Sequence, residues 1–144
     1  MSRQPVRCVI AFGGNLADPD ATFKAAISEL ERGSFRVERV SPVITTAPVG
    51  CEEGAPPFRN GALTGFWSGT PHELLALCHR LEEAFGRPSD HPKSVSRTLD
   101  LDIILFGTEQ IDTPDLIVPH PRAKHRDFVL IPMREIAPEL LPLL

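Results

Sequence analysis

The sequence predicts an α+β fold of the ferredoxin-like, split βαβ type: an antiparallel sheet with helices packed on one face, as a single pair of layers. Three observations predict it. Arg7 to Phe12 is a short apolar run read as a strand, and Thr98 to Phe106 reads as another, with acids and apolar residues alternating through Leu99 to Ile103. Two others carry apolar residues at helical spacing behind clear capping signals. The elements then follow in the order β-α-β-β-α-β, with a C-terminal helix added. The 144 residues suit one domain with a real core, and residues 1–144 are read as one.

The first strand places Cys8, Ile10 and Phe12 on one face and Val9 and Ala11 on the other. Apolar residues on both faces predict a central strand. Gly13-Gly14-Asn15 ends it, and one reading of these glycines is a turn with positive φ. Asp18 offers an N-cap and Pro19 the first helical position. Phe23, Ala26, Ile27 and Leu30 follow at helical spacing, and Gly33 stops the helix. Phe35 to Thr45 reads as a second strand, bulged where Ser41-Pro42 interrupts it. Ala47 to Pro57 reads as a long shaped loop and Asn60 to Trp67 as a third strand. Thr70-Pro71-His72-Glu73 is a capping box. The helix behind it buries Leu74, Leu77, Cys78, Leu81 and Phe85, and Gly86 closes it. Arg87 to Ser96 reads as a polar, basic loop. After the last long strand, a short extended piece at Gln110-Ile111 is expected to pair with that strand. Asp112 to Lys124 reads mostly as loop, and Arg126 to Ile136 as a helix interrupted at Pro132.

The 15 Lys and Arg against 19 Asp and Glu give a net charge of −4. That balance argues against a protein that coats nucleic acid, while leaving room for a local phosphate site. Met1 to Pro5 lack an apolar run, and no stretch is long and apolar enough for a membrane span. The three cysteines, Cys8, Cys51 and Cys78, form no CxxC pair. They read as reduced thiols of a cytoplasmic protein.

The sharpest chemical signal is Arg97-Thr98-Leu99-Asp100-Leu101-Asp102-Ile103. On a strand, Leu99, Leu101 and Ile103 share one face, while Asp100 and Asp102 share the other. Two carboxylates side by side call for positive charge between them. Mg²⁺ suits such a pair, because it takes one or two carboxylates and completes its shell with water and phosphate oxygens. A bare D-x-D is more often a solvated face with its acids paired to Lys or Arg. The bases nearby shift that balance: Arg87, Lys93 and Arg97 before the strand, and His120, Arg122, Lys124, His125 and Arg126 after it. Acids for a metal and bases for phosphates are the parts of a phosphoryl-transfer site. His120 lies between Pro119 and Pro121, which stiffen its backbone; an ordinary surface histidine would read nearly the same. There is no P-loop spacing. Phe58 and Asn60 offer a ring face and an amide to a heterocycle, although Phe58 could equally be core.

In order and spacing, these motifs resemble the 6-hydroxymethyl-7,8-dihydropterin pyrophosphokinase family of folate biosynthesis, from about Val6 to Leu140. The resemblance is carried by Gly13-Gly14-Asn15-Leu16, Thr46-Ala47-Pro48-Val49-Gly50, Phe58-Arg59-Asn60-Gly61-Ala62, Leu81-Glu82, Gly86-Arg87, the Arg97 to Ile103 block and Val118-Pro119-His120-Pro121-Arg122 with Arg126 and Phe128. It implies transfer of the β,γ-diphosphate of ATP to the pterin hydroxymethyl group, releasing AMP. By position it implies two Mg²⁺ ions on Asp100 and Asp102. Phe58 and Phe128 would enclose the pterin, and Asn60, with groups near Thr46 and Val49, would meet its edge. Glu82, Arg97, Ile103, His120 and Arg126 would contact ATP, and Arg87 and Arg97 would join the Asp pair in catalysis.

The chain departs from the family pattern chiefly in one loop, with a smaller departure at Ala47, where a proline is common. Ser89 stands where a second arginine is usual, and Ser94-Val95-Ser96-Arg97 replaces Trp-Gly-Pro-Arg. Loss of one such charge contact costs roughly 10²–10³ in rate. A divergent relative that binds a pterin or nucleotide with little transfer, or one acting on a related pterin, is therefore the alternative. Small-molecule substrates, no nucleic acid, no membrane, and a monomer or weak homodimer complete the expectation.

Overall fold

The computed structural model describes residues 4–16, 18–47, 54, 56–85 and 98–144. The elements are β1 (Val6–Gly14), α1 (Pro19–Arg32), β2 (Arg36–Val40), β3 (Ile44–Thr46), β4 (Phe58–Trp67), α2 (Pro71–Ala84) and β5 (Asp100–Phe106). A short pair, β6 (Ile111–Thr113) and β7 (Leu116–Val118), precedes α3 (Asp127–Ile136), with 3₁₀ turns at Ala123–His125 and Pro138–Leu143. The main sheet runs β2-β4-β1-β5, with β3 also on β4. Every pairing is antiparallel. This is the α+β, split βαβ arrangement that the element order predicts.

Local chemistry sets the starts of α1 and α2 as read, while Gly86, expected to close α2, lies outside the described residues. The Asp18 side chain accepts from the Ala21 N–H at 3.3 Å, and Thr70 and Glu73 exchange both bonds of a capping box. Gly33 ends α1, but the residue with positive φ is Ser34. Glycine is needed at 33 for space instead: a Cβ there would lie 2.8 Å from the Leu77 methyls of α2. Gly13 and Gly14 likewise lack positive φ and continue β1 rather than turning out of it.

Two apolar layers sandwich the sheet. Cys8, Ile10, Phe12, Leu63, Leu101 and Ile103 pack against Phe23, Leu30, Leu74, Leu77 and Cys78 of α1 and α2. On the opposite face Val9, Ala11, Ala62, Ile104 and Leu105 pack against Val129, Met133 and Ile136 of α3. The two helices of the βαβ units share one face as expected, and α3 adds a layer on the other. Burial of apolar side chains on both faces of β1 requires that cover.

The single bulged strand expected over Phe35 to Thr45 is two strands on one edge of β4. Ser41 bridges them: its N–H donates to the Ala62 carbonyl and its Oγ accepts the Ala62 N–H, both at 2.9 Å. The Ile111 segment pairs with β7, not with β5, so part of the expected loop over Asp112 to Lys124 is a hairpin turning at Pro114-Asp115. Pro114 supplies turn chemistry there, and Asp115 accepts from the Thr113 hydroxyl at 2.8 Å. α3 is continuous through buried Pro132 rather than interrupted. Its apolar stripe against the sheet outweighs the one hydrogen bond that the proline cannot make.

Candidate active site

β5 organises the site. Leu101 and Ile103 turn into the α1/α2 layer, and half-buried Asp100 and Asp102 turn the other way, as the alternation requires. The β1–β5 register shifts between Val9 and Ile10, so Val9 faces Leu105 while Ile10 faces Ile103. The extra residue, Ile104, lets both Ile104 and Leu105 join the α3 layer. It also turns its carbonyl to the His120 N–H at 3.0 Å. The bulge thereby docks the Val118–Pro119–His120 segment, which contains a cis Val118–Pro119 bond, beside the Asp pair. On the same edge, buried Glu82 of α2 accepts the Leu101 N–H at 2.8 Å through Oε2. Burial pushes the Cys78 thiol up, and the charges of Glu82 and Asp102 push it further. Negative charge thus concentrates on this wall.

Two cavities meet at β5. The first, about 480 Å³, is lined by Phe12, Gly13, Thr46, Phe58, Asn60, Asp100, Asp102, Arg126 and Phe128. The second, about 590 Å³, is lined by Leu75, His79 and Glu82 of α2, Asp100 to Ile103, the turn from Pro114 to Ile117, His120, Arg122 and Arg126. Asp100, Asp102 and Arg126 belong to both. Phe58 and Phe128 supply aromatic walls to the first cavity, and the Arg126 guanidinium lies 5.3 Å from the centre of the Phe128 ring. The Asn60 Nδ2 donates to Thr46 Oγ1 at 2.8 Å, and its Oδ1 lies over Gly13, where a Cβ would come within 2.6 Å. In the second cavity His120 Nδ1 accepts the Arg122 N–H at 3.2 Å, so the neutral ring carries its proton on Nε2.

The structure therefore brings together Thr46, Phe58, Asn60, Glu82, Asp100, Asp102, Ile103, His120, Arg126 and Phe128, all singled out in the sequence. Val49, Arg87 and Arg97 lie outside the described residues, as does the loop around Ser89 and Ser94-Val95-Ser96. Sequence reasoning missed Leu75 and His79, although their spacing with Glu82 is that of one helix face. It missed the Pro114 to Ile117 turn as well, although Thr-Pro-Asp between two apolar stretches signals a hairpin. Among the described residues no three His, Cys, Asp or Glu side chains cluster as a metal cage. Among the described residues only Asp100 and Asp102 offer carboxylate oxygens to both cavities, a pair of hard donors whose chemistry suits a divalent cation such as Mg²⁺.

A family model for 7,8-dihydro-6-hydroxymethylpterin-pyrophosphokinase (HPPK) matches residues 9–138. The chain belongs to the HPPK family. The 2-amino-4-hydroxy-6-hydroxymethyldihydropteridine pyrophosphokinase of Bacillus subtilis is 40% identical over 132 residues, covering 91% of this chain and 78% of that protein. The Pseudomonas aeruginosa protein of the same name is 38% identical over 135 residues, covering 93% of this chain and 82% of its own. A crystal structure of Plasmodium falciparum HPPK-DHPS with pteroate superposes with a TM-score of 0.66 at 13% identity. It covers 95% of this chain, which spans 40% of that longer one. That likeness supports the HPPK fold.

Proposed function

We propose that this HPPK-family chain transfers diphosphate from ATP to the hydroxymethyl group of 6-hydroxymethyl-7,8-dihydropterin, releasing AMP, in folate biosynthesis. The observation that carries the proposal is the meeting of two cavities at Asp100, Asp102 and Arg126. A two-substrate transfer needs such a junction, because the acceptor oxygen and the β-phosphorus must approach in line. The first cavity takes the pterin. Phe58 and Phe128 offer ring faces, and Asn60, its Nδ2 held by Thr46, offers Oδ1 to a ring N–H. The second cavity takes ATP, with His120 Nε2–H and the Arg126 guanidinium as donors to phosphate oxygens. Glu82 and Ile103 lie on the same wall.

The hydroxymethyl oxygen forms a bond to the β-phosphorus, the bond from that phosphorus to the α,β-bridging oxygen breaks, and AMP leaves with the electron pair. The hydroxyl proton passes to solvent. Asp100 and Asp102 would hold Mg²⁺, two ions in our reading; when bound, it supplies charge neutralisation and lowers the pKa of the attacking alcohol. Arg126 adds fixed positive charge at the junction, and we assign Arg87 and Arg97 the same work on the family resemblance. We assign Val49 to the pterin on the family resemblance.

Nothing in the described residues or the relatives favours the divergent binder. Residues 1–144 are read as one catalytic domain acting as a monomer or weak homodimer in the cytoplasm, without nucleic-acid partners. Among the described residues no helix is long and apolar enough to cross a membrane. The test is incubation with ATP, Mg²⁺ and the dihydropterin, measuring AMP and pterin diphosphate together. Equimolar products are expected. Asp100→Asn and Asp102→Asn should each lower kcat by at least about 10²-fold. Full activity in both variants would refute the metal assignment.

A further inference from the structure

The nucleotide cavity has two walls that are not joined by the main sheet: α2, which supplies Leu75, His79 and Glu82, and the β6–β7 turn, which supplies Asp115 to Ile117. A compact cluster ties them together. His72, in the first turn of α2, places Nε2 3.0 Å from Asp115 Oδ1 and 3.1 Å from Thr113 Oγ1. The Thr113 hydroxyl donates to the same Asp115 oxygen at 2.8 Å and also lies 3.1 Å from the Leu116 carbonyl. One imidazole thus spans the turn on both sides of Pro114.

We infer that His72 is a positioning residue for nucleotide binding: it latches the β6–β7 turn to α2 and thereby sets the width of the ATP cavity. The inference rests on the assignment of that cavity to ATP. His72 does not itself line either cavity, so it acts only through the turn. The donor must be Nε2–H, because a carboxylate cannot donate in return. The pair is solvent-accessible, with the side chains 45% and 62% exposed, so its contribution is modest and local. The pterin cavity shares no residue with the turn and should not respond.

The test compares wild type with His72→Ala and His72→Gln, whose amide Nε2–H can replace the imidazole donor. Kd for ATP and KM for ATP should rise roughly two- to fivefold in H72A, consistent with an exposed ionic hydrogen bond. kcat and the pterin KM should stay unchanged, and H72Q should recover most of the affinity. Hydrogen exchange at the Leu116 and Val118 amides should quicken in H72A and recover in H72Q. Wild-type protein that binds ATP, with H72A binding it equally well, would overturn the latch alone. Wild-type protein that binds no ATP would overturn the cavity assignment and the latch with it. Equal loss in H72A and H72Q, or a fall in kcat, would also overturn it by pointing to general damage.

Discussion

Gly13 shows how little a residue needs to carry to matter. Its φ is not positive, so conformational freedom does not explain it. The space above it is filled by the Asn60 amide, 2.6 Å from where a Cβ would stand. Gly13→Ala must push that amide away from Thr46, and so from the pterin edge we propose it meets. Overpacking of this kind costs about 1–3 kcal/mol. We expect G13A to raise the pterin KM about tenfold or more while leaving the ATP KM near wild type, read by steady-state kinetics with each substrate varied. Cys8 and Cys78 sit at the other extreme. Both are buried, and burial pushes Cys8 up to about 12 and Cys78 higher still. Each is a packing residue and neither is a nucleophile.

Among elements, β5 has most to do, and it does it from the edge of the sheet. It pairs with β1 on one side, while its outer edge is held by Glu82 at Leu101 and by the His120 segment at Ile104. Glu82 therefore has work beyond the ATP contact proposed for it: it fixes the strand that bears both aspartates. Glu82→Gln keeps an acceptor for the Leu101 N–H, whereas Glu82→Leu leaves that buried donor unmet at a cost of about 1–3 kcal/mol. Thermal unfolding should show E82L losing several degrees of Tm and E82Q losing less. Turnover should follow the same order, because displacement of Asp100 and Asp102 by a fraction of an ångström disturbs in-line geometry. Equal Tm in E82L and wild type would remove Glu82 from this role.

At the scale of the whole molecule, the sheet divides the labour. α1 and α2 fill one face and α3 much of the other, and the site occupies the end where β5, Arg126 and Phe128 converge. Since the two rings and the amide proposed to meet the pterin come from β4 and α3, and Asp100 and Asp102 only border that cavity, pterin binding should depend less on the metal than transfer does. Chelation of Mg²⁺ should therefore abolish AMP release, with restoration on adding Mg²⁺ back. Pterin binding, followed by fluorescence, should fall by no more than about tenfold. Loss of both together would place the metal in pterin recognition and contradict the division.

Much of this was legible beforehand. Strand alternation put Asp100 and Asp102 on one face, and the caps at Asp18 and Thr70 fixed two helix starts, because these are local rules with periods of a few residues. What local rules cannot carry is distance across the chain. The β5 bulge arises from a register shift against β1, and the Ile104 carbonyl within it accepts the His120 N–H that ties this segment to β5. The spacing of apolar residues announced α3, but only tertiary packing kept it whole through Pro132 and placed it on the second face of the sheet. The β6–β7 pairing and its tie to His72 depend on groups 41 and 43 residues apart, invisible to any short window. Local sequence rules set the order of the long elements, the starts of α1 and α2 and the residue types needed for phosphoryl transfer. Tertiary structure decided which of those residues share a cavity, because burial and register are properties of the packed sheet and not of any one segment.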